Sequence, residues 1–380
     1  MKAMKQYKHG GEIYDKDIAL DYSINVNPFG MPDSVKEALL YHMEEYVKYP
    51  DDSCYELRRQ IATANSNRGE GVLTSEMVLC GNGAADVIYR LCLAVTPTKA
   101  MVLAPTFSEY EQALRMVKSE VVYYELQKQN GFSVDEGILR RIKAEFGDYG
   151  MGKEQGSSLL FLCNPNNPVG NLIAPEVMEK ILILCRELGV LVVVDECFME
   201  FTSYQATHSV VPKLAAFSNL IVIKAFTKTY AMAGLRLGYA LSADASLLAL
   251  MKASGPPWAV STPAQVAGIA ALGEDAYVAG AREYIARERS FLAGELARVG
   301  FKVYESQTNY LLFEEPEGAY QADANYISLY EAMLSEKILL RQCGNYHGLG
   351  ENYYRITVGL HEDNMTLLET MRRVCDTRYK

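Results

Sequence analysis

The chain has 380 residues, of which 49% are hydrophobic and 22% charged, with a formal net charge of -10. That apolar content can bury a large core and excludes a disordered chain, while the acidic balance argues against nucleic acid or an anionic membrane as the main partner. The eight cysteines show no C-x-x-C spacing, which speaks against a metal site and against disulfides.

In chain order, residues 1–48 are expected to form an N-terminal arm with part of a small domain, 49–256 a large domain, and 257–380 a small C-terminal domain. Alternating strand and helix patterns over 76–253 predict an α/β fold, with a mostly parallel sheet covered by helices on both faces. Gly81-Asn-Gly-Ala-Ala85 opens a helical stretch, so its backbone N–H groups become available to a phosphate. The glycine- and charge-rich stretch 146–158 reads as a loop. The apolar run 159–163 empties into Asn164-Pro-Asn-Asn-Pro-Val-Gly170, too rich in Pro and Asn to extend a central strand, so amide donors collect at a strand end. After a helix over 175–188, a second apolar run over 190–194 stops at Asp195, on the same sheet edge by the right-handed crossover rule. A third run, 219–226, delivers Lys228, with Arg236 eight residues on in Gly234-Leu-Arg-Leu-Gly238. Ser254-Gly-Pro-Pro257 breaks into a single long helix expected over 262–299. Strands near 301–304, 310–313 and 354–358 then build the small domain. The sequence shows no internal repeat. Neither a leader pattern nor an apolar stretch approaching the ~18 residues of a membrane span is present, so a cytoplasmic protein without a membrane partner is expected.

Ligands of open α/β sheets bind outside the carboxyl ends of the strands, so Asn167, Asp195 and Lys228 should share one crevice. A lysine, a carboxylate, an amide donor and a basic phosphate site suit an aldehyde on a phosphorylated pyridine ring. The lysine condenses with the aldehyde, and the carboxylate keeps the ring nitrogen protonated. A solvated lysine, a turn-forming asparagine and a capping aspartate are the ordinary readings of these residues taken singly. Their joint placement favours the chemical one.

With these motifs the chain resembles the fold-type I pyridoxal 5'-phosphate enzymes of the aminotransferase class I/II superfamily, from about Asp21 to Val374. The resemblance implies a mostly parallel, seven-stranded sheet in the large, cofactor-binding domain and a smaller α/β domain. It makes Lys228 the Schiff-base lysine, Asp195 the partner of the ring nitrogen and Asn167 the donor to the ring hydroxyl. Gly83, the Ala84 and Ala85 amides, Thr227 and Arg236 become the phosphate site, and Phe107 stacks on the ring. Arg355 matches the arginine that grips the substrate carboxylate through a two-donor fork. Tyr49 resembles a tyrosine that reaches the cofactor phosphate from a neighbouring subunit, which implies a homodimer with shared active sites.

Within the superfamily, His9-Gly-Gly11, the segment 21–32, the segment 338–349 and Pro257-Trp-Ala-Val260 resemble the branch that decarboxylates L-threonine O-3-phosphate. The histidinol-phosphate aminotransferases are near relatives. Phe198 stands where the aminotransferases place a tyrosine. The implied substrate is a small phosphorylated amino acid, its phosphate held by His9 and Arg341, with Lys8 as a further candidate. Asn27 and Tyr110 fall in segments placed at the substrate, and Trp258 near its mouth. Departures are Ala225, where relatives carry a hydroxyl on the cofactor phosphate, with Thr227 and Lys224 as substitutes, and Glu12 and Gly359, which bear on the substrate. A non-catalytic binding fold would have no use for Lys228.

Overall fold

The computed structural model describes residues 10–147, 157–316 and 327–378. Lys8, His9 and most of the loop expected over 146–158 lie outside the described residues. Seven strands form the main sheet: β2 (Val78–Gly81), β3 (Lys99–Ala104), β4 (Glu120–Glu125), β5 (Ser158–Cys163), β6 (Val190–Asp195), β7 (Leu220–Ala225) and β8 (Gly238–Ser242). Their order is β2-β8-β7-β6-β5-β3-β4. β8 runs antiparallel to both neighbours, and the other pairs are parallel.

The central strands are continuous apolar runs because both faces of the sheet are covered. Met101, Leu160, Val192 and Val222 enter one buried cluster. Val102, Phe161, Val193 and Ile223, one residue further along each strand, enter the other. Each such side chain contributes about 1.5–3 kcal/mol on burial, so the register cannot slip by one residue without exposing a whole face. That register sets Cys163 opposite Asp195 and Asp195 opposite Ile223, and it pairs both Gly81 and Ala225 with Gly238. The ends of β2, β5, β6 and β7 therefore meet at one edge.

A second, antiparallel sheet has the order β12-β13-β10-β9. Its strands are β9 (Lys302–Val303), β10 (Tyr310–Glu314), β12 (Arg341–Gln342) and β13 (Tyr353–Thr357). β1 (Leu20–Asp21) pairs in parallel with β11 (Ile338–Leu339), tying the N-terminal segment to this half of the chain. Strands of two residues are too short to leave a periodic signal in sequence. The single helix expected over 262–299 is instead two, Thr262–Ala271 and Asp275–Val299. Gly273 lies in the break, where a residue without Cβ costs a helix most. Among the described residues no helix is long and apolar enough to cross a membrane.

Candidate active site

A cavity of about 240 Å³ opens at the carboxyl edge of the main sheet, and Lys228, Asp195, Asn167, Arg236, Arg341 and Arg355 all line it. Lys228 sits not on β7 itself but in the short helix Phe226–Thr229 that follows it. The Asn27 N–H donates to the Lys228 carbonyl at 3.0 Å, fixing that turn from the N-terminal segment. Burial, reinforced by the positive charges of Arg355 and Arg236, brings the Lys228 amine down to about 8. At pH 7 roughly a tenth of it is then neutral, far more than for an ordinary lysine, and the neutral form is the nucleophile.

Asp195 ends β6 and is buried. Its carboxylate accepts from the Tyr110 hydroxyl at 2.7 Å and from the Cys197 N–H at 2.9 Å. Burial raises its pKa, with Cys197 and Tyr110 opposing. No cation pairs with it among the described residues, so a protonated ring nitrogen would supply the missing charge.

At the other end of the cavity the helix Gly83–Val95 points its N-terminus inward, with Ala84 and Ala85 in the lining. Gly83 has φ +81°, and a Cβ there would lie 2.4 Å from Arg236 Nη2. A Cβ on Gly238 would lie 2.5 Å from the Ala84 nitrogen. Two glycines thus let the Arg236 guanidinium close against exposed helix N–H groups, an arrangement suited to a phosphate. Thr227 and Ala225 complete the wall. Lys224 does not substitute for a phosphate contact: alternation along β7 turns it to the opposite face. There Nζ lies 3.1 Å from Glu70, 3.1 Å from Glu200 and 3.8 Å from Glu196.

The third wall carries a pair of like charges. Arg341 on β12 and Arg355 on β13 are direct partners across the antiparallel pair, and both are buried. Arg355 donates from Nη1 to Asn167 Oδ1 at 2.6 Å and from Nη2 to the Ser23 carbonyl at 2.7 Å. Its Nε has no partner, and no carboxylate pairs with it among the described residues. Because Asn167 Oδ1 is taken, the amide end that it can offer to a ligand is Nδ2. Phe107 and Phe198 also line the cavity, with the edge of the Phe198 ring against Tyr310 at 5.0 Å.

Several expected residues stand elsewhere. Asn27 does not line the cavity, since its Nδ2 donates to the Thr229 carbonyl and its Oδ1 accepts from the Phe29 N–H. Asn25, two residues earlier, lines it instead, and its buried Oδ1 has no partner. They stand two residues apart in a segment without regular structure, and their spacing in sequence does not distinguish them. Tyr110 does line the cavity, and its hydroxyl is held by Asp195. Trp258 is absent from the lining: it is half-exposed, and its ring lies tilted against Tyr49 with centroids 4.7 Å apart. Tyr49 itself is 80% exposed, outside the cavity of its own chain. Gly10, Ser23 and Tyr346 are lining residues that fall in the segments 9–11, 21–32 and 338–349 but that sequence reasoning did not single out. They come from turns with no periodic signal.

The unpaired Asp195, the lowered amine of Lys228 and the glycine-lined cradle under Arg236 together fit pyridoxal 5'-phosphate. The model of the family described as aminotransferase class I and II matches residues 17–370. The chain is 30% identical over 375 residues to the threonine-phosphate decarboxylase of Salmonella typhimurium, covering 96% of each chain. It is 32% identical over 366 residues to the histidinol-phosphate aminotransferase of Desulfitobacterium hafniense, covering 92% of this chain and 90% of that one. Among solved structures, the histidinol-phosphate aminotransferase of Clostridium acetobutylicum superposes with a TM-score of 0.82 at 27% identity, covering 94% of this chain and 99% of that one.

Proposed function

We propose, because the chain belongs to the aminotransferase class I and II family, that it decarboxylates L-threonine O-3-phosphate to (R)-1-amino-2-propanol phosphate in cobalamin synthesis. Its fold is fold-type I and its cofactor is pyridoxal 5'-phosphate. When bound, the cofactor supplies an electron sink conjugated with the substrate's Cα, which weakens whichever Cα bond stands perpendicular to the ring. Asp195 would hold a proton at the ring nitrogen, Asn167 would donate to the ring hydroxyl, and Phe107 would lie on the ring face. Arg236, Thr227 and the amides of Ala84 and Ala85 would hold the cofactor phosphate, with Tyr49 of a second subunit.

The observation that carries the choice of substrate is the arginine pair. Directly opposed residues of an antiparallel pair have Cα atoms about 4.5–5.5 Å apart, and like charges so placed repel. Two buried guanidinium groups in that position suit a ligand with two anionic groups close together. L-threonine O-3-phosphate is such a ligand, with a carboxylate on Cα and a phosphate on the neighbouring carbon's oxygen. Arg355 would hold the carboxylate upright over the ring and Arg341 would hold the phosphate. Once the Cα–carboxylate bond breaks and carbon dioxide leaves, the protonated form of the Lys228 amine would deliver a proton to Cα and be left neutral.

Transfer of the amino group is the second reading, supported by the 32% identity to a histidinol-phosphate aminotransferase. Mass spectrometry of the products from threonine phosphate, and separately from histidinol phosphate with 2-oxoglutarate, tests the two. Release of carbon dioxide and aminopropanol phosphate from the first supports decarboxylation. Turnover of the second alone would replace it.

A further inference from the structure

The turn before the helix Gly83–Val95 is held from behind by two side chains, Asp86 and Arg90, neither of which lines the cavity. Asn82 stands at the cap of that helix, yet its side chain makes no bond to the first helical N–H groups, which a capping side chain would otherwise take. Asp86, one turn into the helix, reaches back instead. Its Oδ2 accepts from the Asn82 N–H at 2.9 Å, which fixes the turn without covering Ala84 and Ala85. Gly81 makes room for this bond, since a Cβ there would lie 2.9 Å from Asp86 Oδ2.

A carboxylate in that place would repel the phosphate that the same turn is to receive. Arg90, one turn further along and buried, answers it: its Nε donates to the same Asp86 oxygen at 2.9 Å. Its Nη1 and Nη2 donate to the carbonyls of Lys252 at 3.1 Å and Pro256 at 3.0 Å, which ties the turn to the end of the helix Ala245–Ala253 and the segment after it. Gly255 lets the guanidinium pass, since a Cβ there would lie 2.2 Å from Arg90 Cζ. The far end of the tie is held in turn. Lys252 pairs with Asp52 at 3.0 Å, and Asp52 accepts from the Trp258 N–H at 2.7 Å. We propose that Asp86 and Arg90 are positioning residues for the cofactor phosphate: Asp86 fixes the turn, and Arg90 offsets its charge. Preference for the phosphorylated cofactor over its phosphate-free form then depends on two side chains outside the cavity. This rests on reading the turn and Arg236 as the phosphate site but not on which reaction follows.

The test strips the full chain of cofactor and returns it as pyridoxal 5'-phosphate or, separately, as phosphate-free pyridoxal, with binding followed by absorbance. Arg90→Met leaves the Asp86 carboxylate uncompensated and should weaken the phosphorylated form about tenfold or more, while pyridoxal stays within about threefold. Adding Asp86→Asn, which keeps an acceptor for the Asn82 N–H and removes the charge, should recover most of that loss. Gly255→Ala, whose Cβ displaces the guanidinium, should show the same selective loss with Arg90 in place, and it serves if Arg90→Met folds poorly. Equal weakening of both forms, no weakening, or no recovery in the double variant overturns the proposal. Arg236→Met separates the two readings. Selective loss there without selective loss in Arg90→Met overturns the proposal and leaves the phosphate site standing, whereas undiminished affinity in Arg236→Met removes the phosphate site and the proposal with it.

Discussion

Lys228 carries the residue-scale argument because its amine is brought down to about 8 by burial and by Arg355, against an ordinary value near 10.4. Without cofactor, the folded protein therefore releases a proton between about pH 8 and 10 that the unfolded chain still holds. Stability from this group is lowest below pH 8 and rises with pH through that window. Lys228→Met should accordingly raise the thermal midpoint of the apoprotein at pH 7, by on the order of 1–2 kcal/mol of stability, with the advantage shrinking towards pH 10. An advantage independent of pH would refute the depressed amine. Gly83 offers a second test at this scale. Its φ of +81° and the 2.4 Å approach of Arg236 mean that Gly83→Ala should displace the Arg236 guanidinium, the flexible partner, and strain the turn. Cofactor affinity, followed by absorbance, should fall about tenfold or more while the circular dichroism of the fold is kept. Undiminished affinity would remove Arg236 from the phosphate site.

At the scale of elements, β6 and β7 each present one face to the cavity and the other to a buried cluster. Asp195 and Ala225 face the cavity, while Glu196 and Lys224 lie behind them with Glu70 and Glu200. One lysine among three carboxylates leaves an excess of negative charge in the core. Burial raises Glu196 to about 7, with Glu70 adding to the shift and Lys224 opposing it. Its folded-state value lies above the unfolded value near 4.3, so its contribution to stability is present below about pH 4.3 and lost as pH rises through 7. Glu196→Gln keeps an acceptor for Ser209 and Val210 and should flatten thermal stability across pH 4.5–7. A variant whose midpoint follows the same pH curve as the unsubstituted protein would show that Glu196 does not hold its proton into the neutral range. The same alternation explains why Lys224, which the sequence suggested as a phosphate ligand, is turned away from the cavity. Proximity to Lys228 along the chain says nothing about the face a side chain takes until the strand's register is fixed.

At the scale of the whole molecule, Tyr49 and Trp258 form an exposed aromatic pair away from the cavity. Tyr41, Met43 and Val47, shortly before Tyr49 in the chain, are exposed as well. If Tyr49 completes the cofactor site of a second copy, the protein is a dimer. Mixing Lys228→Ala with Tyr49→Phe subunits should then give hybrid dimers holding one intact site, and with it part of the lost activity. Sedimentation of a fully active monomer would exclude this arrangement.

The sequence by itself determined the central sheet and which strand-end residues share the cavity. Long apolar runs ending in Asn164-Pro-Asn-Asn-Pro168, Asp195 and Lys228 identify strands by length and breakers alone, and parallel topology brings their carboxyl ends to one edge. Arg236 and the glycine turn follow from the same local chemistry. Tertiary structure decided the far wall of the cavity, where Asn25 and Tyr346 arrive from turns and Arg341, already a candidate, from a two-residue strand too short to carry a period. It also decided that Asn25 and not Asn27 reaches the cavity, and that Tyr110 serves Asp195. Those choices depend on which neighbour satisfies each buried polar group, a matter of contacts between segments as far as 332 residues apart, as in the bond from Arg355 to Ser23.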